Sequence, residues 1–358
     1  MNLEYLIRKE IREQRAYTVE ETACPIKLDA NENPYNLPED LRQELCERLR
    51  NVEFNRYPEL GSPTLRRRMA DRLGVAEDEI MVGNGSDELI QVLCTAVSGP
   101  NTFVLVPFPT FVMYRVTAVN CGCRVREVPL IEDSGDLDLD AMLAVIRRDQ
   151  PALIFLSYPN NPTGNCFTTA KIEKILAAAP GAVVVDEAYF PFCRQSFLPR
   201  RSEYPNLVIL RTLSKLGLAS LRVGFLVGDR ELVEELNKIR LPYNINTISQ
   251  QLALFYLDRE EIFAGYAREV MAGREFVTAR LAAMPGVRLI KSSANFIFFC
   301  CAFDSNRIWK HLLEKGILIK NFPVLGNLRN CLRVTIGNAE ENEEFLRVLQ
   351  EFIARQGV

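Results

Sequence analysis

The sequence predicts an α/β protein: a seven-stranded, mostly parallel sheet between helices, followed by a smaller α+β domain. Three observations lead there. Between residues 79 and 228, seven short runs rich in β-branched and aromatic residues alternate with helical stretches. Several of these runs are continuously apolar, as expected of strands covered by helices on both faces. Beyond Pro242 the alternation gives way to long helical patterns.

In chain order, residues 1–37 give a short amphipathic helix and then DANENPYNLPED, which Pro34 and Pro38 keep from continuing as helix. This stretch reads as an N-terminal arm. The runs EIMVG, TFVLV, RVREV, ALIFL, AVVVD, LVILR and VGFLV are the strands of a large domain spanning 38–242. Residues 243–358 then supply ISQQLALFYL, a long amphipathic stretch, a few strands and the closing helix EENEEFLRVLQEFIARQ, read as the small domain. No repeat or flexible linker separates the two domains, so a cleft between them is the expected ligand site.

The 358 residues, 48% hydrophobic and 25% charged, are enough for two domains and a sizeable core. A net charge of −3 argues against nucleic acid as the partner, since neutralising phosphates needs a basic surface. The N-terminus lacks the uninterrupted apolar run of a signal peptide, and the longest apolar stretch, Phe296 to Phe303, is far short of the ~18 residues that span a bilayer. A cytoplasmic protein is expected. Its ten Cys are scattered and form no C-x-x-C pair, which predicts reduced, mostly buried thiols. With His311 as the sole histidine, placed on a helix surface by its pattern, a His-rich metal site cannot be assembled and no metal is expected. Acid–base chemistry must then come from Lys, Asp, Glu, Tyr or a cofactor.

Four strand ends carry that chemistry. After LVIL, the segment RTLSKLGLASLRVGF crowds Thr212, Ser214, Lys215 and Arg222 together. A phosphate dianion would satisfy the hydroxyls and Arg222, leaving the lysine for Schiff-base chemistry. AVVVDEAYF sets Asp186 straight after a buried strand, where a protonated pyridine nitrogen would be its cation, with Tyr189 three positions on. SYPNNPTG is a turn whose asparagine amide suits a phenolate oxygen. EIMVGNGSDELIQVL is a strand, a Gly-rich turn and a helix opening at Ser86; it lacks the third glycine of a dinucleotide fingerprint and fits a phosphate cup better. Together the four ends describe a pyridoxal 5'-phosphate site at the carboxyl edge of the sheet.

The motifs LDANENPY, NRYPE, GNGSDEL, PTFVMY, NNPTG, DEAY, TLSK with LRVGF, and CLRVTIG resemble those of the histidinol-phosphate aminotransferases, in the fold type I pyridoxal-phosphate superfamily, over nearly the full length. The resemblance implies a cytoplasmic homodimer that transaminates histidinol phosphate with 2-oxoglutarate in histidine biosynthesis. It implies that Lys215 holds the cofactor and shuttles the proton, that Asp186 pairs with the ring nitrogen, and that Asn161 and Tyr189 bind the phenolate oxygen. Ser86, Asp87, Thr212, Ser214 and Arg222 match phosphate-binding positions, and Tyr57 matches a tyrosine that reaches the phosphate across the dimer interface. Arg333 matches the arginine for the substrate's anionic end, with Tyr17 and Asn33 as further substrate-side positions. Two positions depart from the pattern: Phe111 replaces a ring-stacking tyrosine, and Lys320 replaces a common arginine. The same scaffold also serves threonine-phosphate decarboxylases and aromatic- or aspartate-type aminotransferases, which remain as alternative functions.

Overall fold

The computed structural model describes residues 3–14, 16 and 22–356. Its strands are β1 (Ile26–Leu28), β2 (Ile80–Asn84), β3 (Phe103–Phe108), β4 (Arg124–Pro129), β5 (Leu153–Ser157), β6 (Ala182–Asp186), β7 (Leu207–Thr212), β8 (Val223–Val227), β9 (Val287–Leu289), β10 (Phe296–Cys301), β11 (Ile317–Leu325) and β12 (Leu328–Thr335). The seven runs recognised in the sequence become β2 to β8 of one sheet, in the order β2-β8-β7-β6-β5-β3-β4. Alternate side chains of each strand face opposite ways: Ile154, Leu156, Val183 and Val185 join one core cluster, and Phe155, Val184, Val208 and Leu210 join another. That two-sided burial explains the unbroken apolar runs.

The sheet is parallel from β4 through β3, β5 and β6 to β7, while β8 runs antiparallel to both β7 and β2. The reversal follows from chain length. Only residues 213–222 connect β7 to β8, too few for the crossover that a parallel neighbour needs. This short connection carries Lys215 and delivers Arg222 to the edge where β2, β5, β6 and β7 end. Register places Ser157 beside Asp186, Thr212 beside Gly224 and Asn84 beside Val223.

A second sheet, β1-β11-β12-β10-β9, carries helices Glu260–Ala282, Ser305–Glu314 and Ala339–Ala354 around a core that includes Phe296, Phe299 and Phe345. The arm contributes β1, parallel to β11 with Ile26 opposite Ile317. Helix Thr247–Leu257 buries Ala253 and Leu257 against the core of the large sheet.

Two expectations about individual side chains are corrected. Cys300 and Cys331 are register partners on the antiparallel strands β10 and β12 and are joined as a disulfide, so not every thiol is reduced. Of the free cysteines, Cys94, Cys123 and Cys301 are buried and the others are not. His311 is half-buried rather than on the helix surface, its ring 5.5 Å from that of Phe352.

Candidate active site

A cavity of about 320 Å³ opens at the carboxyl edge of the large sheet, between it and the β11–β12 pair. Of the residues singled out in the sequence, Ser86, Asp87, Phe111, Asn161, Asp186, Tyr189, Thr212, Ser214, Lys215, Arg222, Lys320 and Arg333 all line it. A larger cavity, about 720 Å³, is walled mainly by apolar side chains such as Leu213, Phe225 and Tyr256; Lys215 and Asp186 line only the smaller one.

One end of the cavity is built for a dianion. Helix Ser86–Ala96 starts directly after Gly85, so the N–H groups of its first turn have no partner within the helix and carry the positive end of its dipole. Gly85 sits at φ 79°, and a Cβ there would lie 2.5 Å from Nη2 of Arg222, so the guanidinium can pass only over a bare backbone. Arg222 is itself held in the left-handed region at φ 51°. Its Nη2 donates to Asp87 Oδ2 at 3.2 Å and its Nη1 reaches Ser214 Oγ at 3.4 Å. Thr212 Oγ1 donates to Ser214 Oγ at 2.9 Å. Hydroxyls, helix terminus and guanidinium thus converge.

Deeper in, Asp186 is 3% exposed at the end of β6. Its Oδ2 accepts from the Tyr114 hydroxyl at 2.6 Å and its Oδ1 from the Ala188 N–H at 3.0 Å, with no basic side chain bonded to it among the described residues. Burial raises its pKa to about 6. This buried carboxylate lacks a cation.

Lys215 lies on the one-turn helix Ser214–Leu216 that follows β7. Its Nζ donates to the Ala30 carbonyl at 3.3 Å and stands 6.0 Å from the centre of the Tyr189 ring. Burial first, and then the Arg333 guanidinium, pulls its pKa down to about 8. The Tyr189 hydroxyl accepts from Asn31 Nδ2 at 2.9 Å and from Asn161 Nδ2 at 3.3 Å. Arg333, buried on β12, donates to Asn161 Oδ1 at 2.7 Å and to the Asp29 carbonyl at 2.6 Å. Lys320 on β11 is its register partner.

Three sequence candidates stand apart. Asn33 does not line the cavity; its Oδ1 accepts from the Tyr35 N–H at 3.0 Å. Tyr57 is 81% exposed and stacks on Tyr243, with ring centres 4.7 Å apart, away from the cavity of its own chain. Tyr17 falls outside the described residues. Conversely, sequence reasoning missed Asn31, Glu32 and Tyr114. Asn31 and Glu32 belong to the same DANENP segment that pointed to Asn33, and only its fold, with Asn31 at φ 55°, tells which side chains face inward. Tyr114 reads in sequence as one more core aromatic of a helix.

The residues fit pyridoxal phosphate. A phosphate matches the cup at Gly85, a protonated ring nitrogen matches the cation-poor Asp186, and an aldehyde matches an amine whose pKa is depressed.

Known proteins agree. Residues 24–349 match the family described as aminotransferase class I and II. The chain is 46% identical to a protein of Nitrosococcus oceani named histidinol-phosphate aminotransferase 2, over 96% of each chain. It is 42% identical to a Polaromonas naphthalenivorans protein named histidinol-phosphate aminotransferase, over 97% of this chain and 96% of that one. In fold it resembles the histidinol-phosphate aminotransferase of Sinorhizobium meliloti, solved with pyridoxal-5'-phosphate, at a TM-score of 0.87 and 22% identity over 98% of both chains. The L-threonine-O-3-phosphate decarboxylase of Porphyromonas gingivalis has the same fold, at a TM-score of 0.79 and 22% identity over 92% of this chain and 99% of that one. With its lysine, aspartate and phosphate cup gathered at one sheet edge, the chain belongs to the class I and II aminotransferases and, within them, to the pyridoxal-phosphate-dependent histidinol-phosphate aminotransferase family.

Proposed function

We propose that this transaminase exchanges an amino group between L-histidinol phosphate and 2-oxoglutarate, giving imidazole acetol phosphate and glutamate in histidine biosynthesis. It would act in the cytoplasm as a homodimer in which Tyr57 of one subunit completes the phosphate cup of the other. The observation that carries the substrate reading is the pair Lys320 and Arg333, cross-strand neighbours that both line the cavity. Two cations side by side suit a phosphate, and the planar fork of Arg333 also suits the carboxylate of the second substrate. The names of the relatives at 46% and 42% identity support the same substrate.

In this proposal Ser86, Asp87, Thr212, Ser214 and Arg222 hold the cofactor phosphate, the first two through backbone N–H groups. Phe111 packs on the ring. Asp186 remains anionic opposite the ring nitrogen, and Asn161 and Tyr189 bond the phenolate oxygen. When bound, pyridoxal phosphate supplies an aldehyde carbon for the amino group and an electron-withdrawing ring that acidifies the substrate Cα–H. Lys215 would hold the aldehyde at rest, and once the incoming amine has freed it, its neutral Nζ would be the base that takes the substrate Cα proton and gives a proton back from the same face. Arg333, fixed by Asn161 and the Asp29 carbonyl, orients the substrate's anionic end.

Incubating the purified enzyme with histidinol phosphate and 2-oxoglutarate tests the reading. Stoichiometric glutamate is expected. Release of carbon dioxide from threonine phosphate, with no glutamate formed from histidinol phosphate, would assign a decarboxylase instead.

A further inference from the structure

The cavity wall is unevenly charged. Lys215, Arg222, Lys320 and Arg333 supply the cations. Two of the carboxylates are engaged: Asp87 with Arg222 at 3.2 Å, and Asp186 with the Tyr114 hydroxyl and the Ala188 N–H. Asp29 is 6% exposed and its backbone carbonyl takes the Arg333 guanidinium. The Asp29 carboxylate has an Oδ1 with no hydrogen-bond partner, but it is sealed from solvent; Glu32 differs from all three in being open to the cavity. It lines the cavity from the arm, is exposed to solvent, and has no hydrogen-bond or ion-pair partner among the described residues.

The loop that presents Glu32 is pinned at the residue before it. The N–H of the preceding Asn31 donates to Thr335 Oγ1 at 3.0 Å, its side chain donates to the Tyr189 hydroxyl at 2.9 Å, and its carbonyl accepts from Asn295 Nδ2 at 3.0 Å. The carboxylate is thus presented to the cavity, still open to solvent, on a loop whose backbone is held in place. It is also close enough to Lys215 to oppose the fall in that amine's pKa.

The two amino donors of the proposed reaction present opposite chemistry to such a group. Glutamate brings carboxylates at both ends, which Glu32 repels. Histidinol phosphate brings an imidazole, which always offers at least one N–H and becomes a cation near its pKa of ~6.5. We propose that Glu32 is a specificity-determining residue that accepts a hydrogen bond from the imidazole N–H of histidinol phosphate while Lys320 and Arg333 hold the phosphate. This assignment rests on the function proposed above and identifies the group that reads the substrate's ring.

Glu32→Gln keeps the shape and removes the charge. The probes are histidinol phosphate and phenylalaninol phosphate, which share phosphate, amine and chain length but differ in whether the ring carries an N–H. The ratio of kcat/KM for the first to that for the second should fall roughly tenfold in the variant, the cost of turning a charge-assisted hydrogen bond into a neutral one. The ratio of histidinol phosphate to glutamate should fall at least as far, because repulsion of glutamate is relieved. Calorimetric titration of the holoenzyme with imidazole acetol phosphate, which has no amine to react, gives a reading independent of turnover, and its affinity should also fall about tenfold. If both ratios and that affinity match the wild type, or if the two phosphorylated amines lose equally, Glu32 does not read the ring, and the proposed function stands unaltered. A wild-type enzyme that turns over other amino donors but not histidinol phosphate would overturn both readings.

Discussion

The Tyr114 hydroxyl donates to Asp186 Oδ2 across 2.6 Å, with both groups buried beneath the floor of the cavity. The Tyr114 ring is stacked on Phe155, centres 4.8 Å apart, so the hydroxyl has little freedom to turn away. Burial drives Asp186 toward its protonated form, and the Tyr114 bond works against that drive. In the proposed site Tyr114 is therefore a positioning residue, one whose hydrogen bond would help keep Asp186 ionised opposite a cationic ring nitrogen.

Tyr114→Phe preserves the stack and deletes the donor. The pKa of Asp186 should rise above its value of about 6, leaving less carboxylate at neutral pH. Spectrophotometric titration of the apoprotein with pyridoxal phosphate should show affinity reduced roughly tenfold, as for a lost hydrogen bond to a charged group. The acid limb of the pH–rate profile should move to higher pH. Unchanged affinity together with an unchanged profile would remove Tyr114 from the site's electrostatics.

Lys215 gives a pH prediction whose sign follows from its depressed pKa. With a pKa of about 8, roughly a tenth of the amine is neutral at pH 7, against well under a thousandth for an ordinary lysine. Only the neutral form attacks an aldehyde. Uptake of pyridoxal phosphate by the apoprotein, followed as appearance of the chromophore that borohydride fixes, should therefore rise through a midpoint near 8 instead of 10.5. Lys215→Ala should show no fixation at any pH.

The large sheet was legible because runs such as AVVV and ALIFL are apolar throughout, a pattern that burial on both faces imposes directly on composition. The residues at their ends were legible too, since a lysine, an aspartate and a glycine turn at strand termini carry a chemical meaning wherever the helices lie. Tyr114 and Glu32 were not, for opposite reasons. Tyr114 is an aromatic in a helix, and only the angle between that helix and β6 brings its hydroxyl to Asp186. Glu32 is one charge among many, and what singles it out, a cavity-lining position without a hydrogen-bond or ion-pair partner among the described residues, is something no local pattern records. The Cys300–Cys331 pairing was hidden because register between β10 and β12 is a long-range property.

Gly85→Ala tests the phosphate cup. The new Cβ meets Arg222 at 2.5 Å and must also be carried at φ 79°, so the guanidinium has to move or the turn has to open. Affinity for pyridoxal phosphate should fall at least tenfold, while pyridoxal, which has no phosphate, should lose little. Equal losses for the two ligands would mean that the turn supports the fold and not the phosphate.

Arg333→Lys addresses the substrate end. Lysine keeps the charge but cannot donate to Asn161 and the Asp29 carbonyl while presenting a planar face to the cavity. KM should rise in both half-reactions, for histidinol phosphate and for glutamate alike. A rise for one substrate alone would assign the other anion to Lys320.

A final prediction concerns the support beneath the site. Glu187, next to Asp186, has a fully buried side chain that pairs with Arg211 at 2.8 Å and also accepts from Ser196 Oγ and the Phe197 N–H. Burial raises its pKa, and the Arg211 guanidinium, 3.9 Å over the Phe190 ring, is the main opposing influence. Arg211→Met removes that cation and strands a carboxylate in the core, at a cost of about 3–5 kcal/mol. Thermal unfolding should occur well below the wild-type temperature and recover as the pH is lowered toward the point where Glu187 takes up a proton. Pairing the change with Glu187→Gln should restore much of the stability, because no uncompensated charge is then left. If the double variant were as unstable as Arg211→Met alone, lost packing against Phe190 would account for the defect, and the ion pair would not be what holds the end of β6 in place.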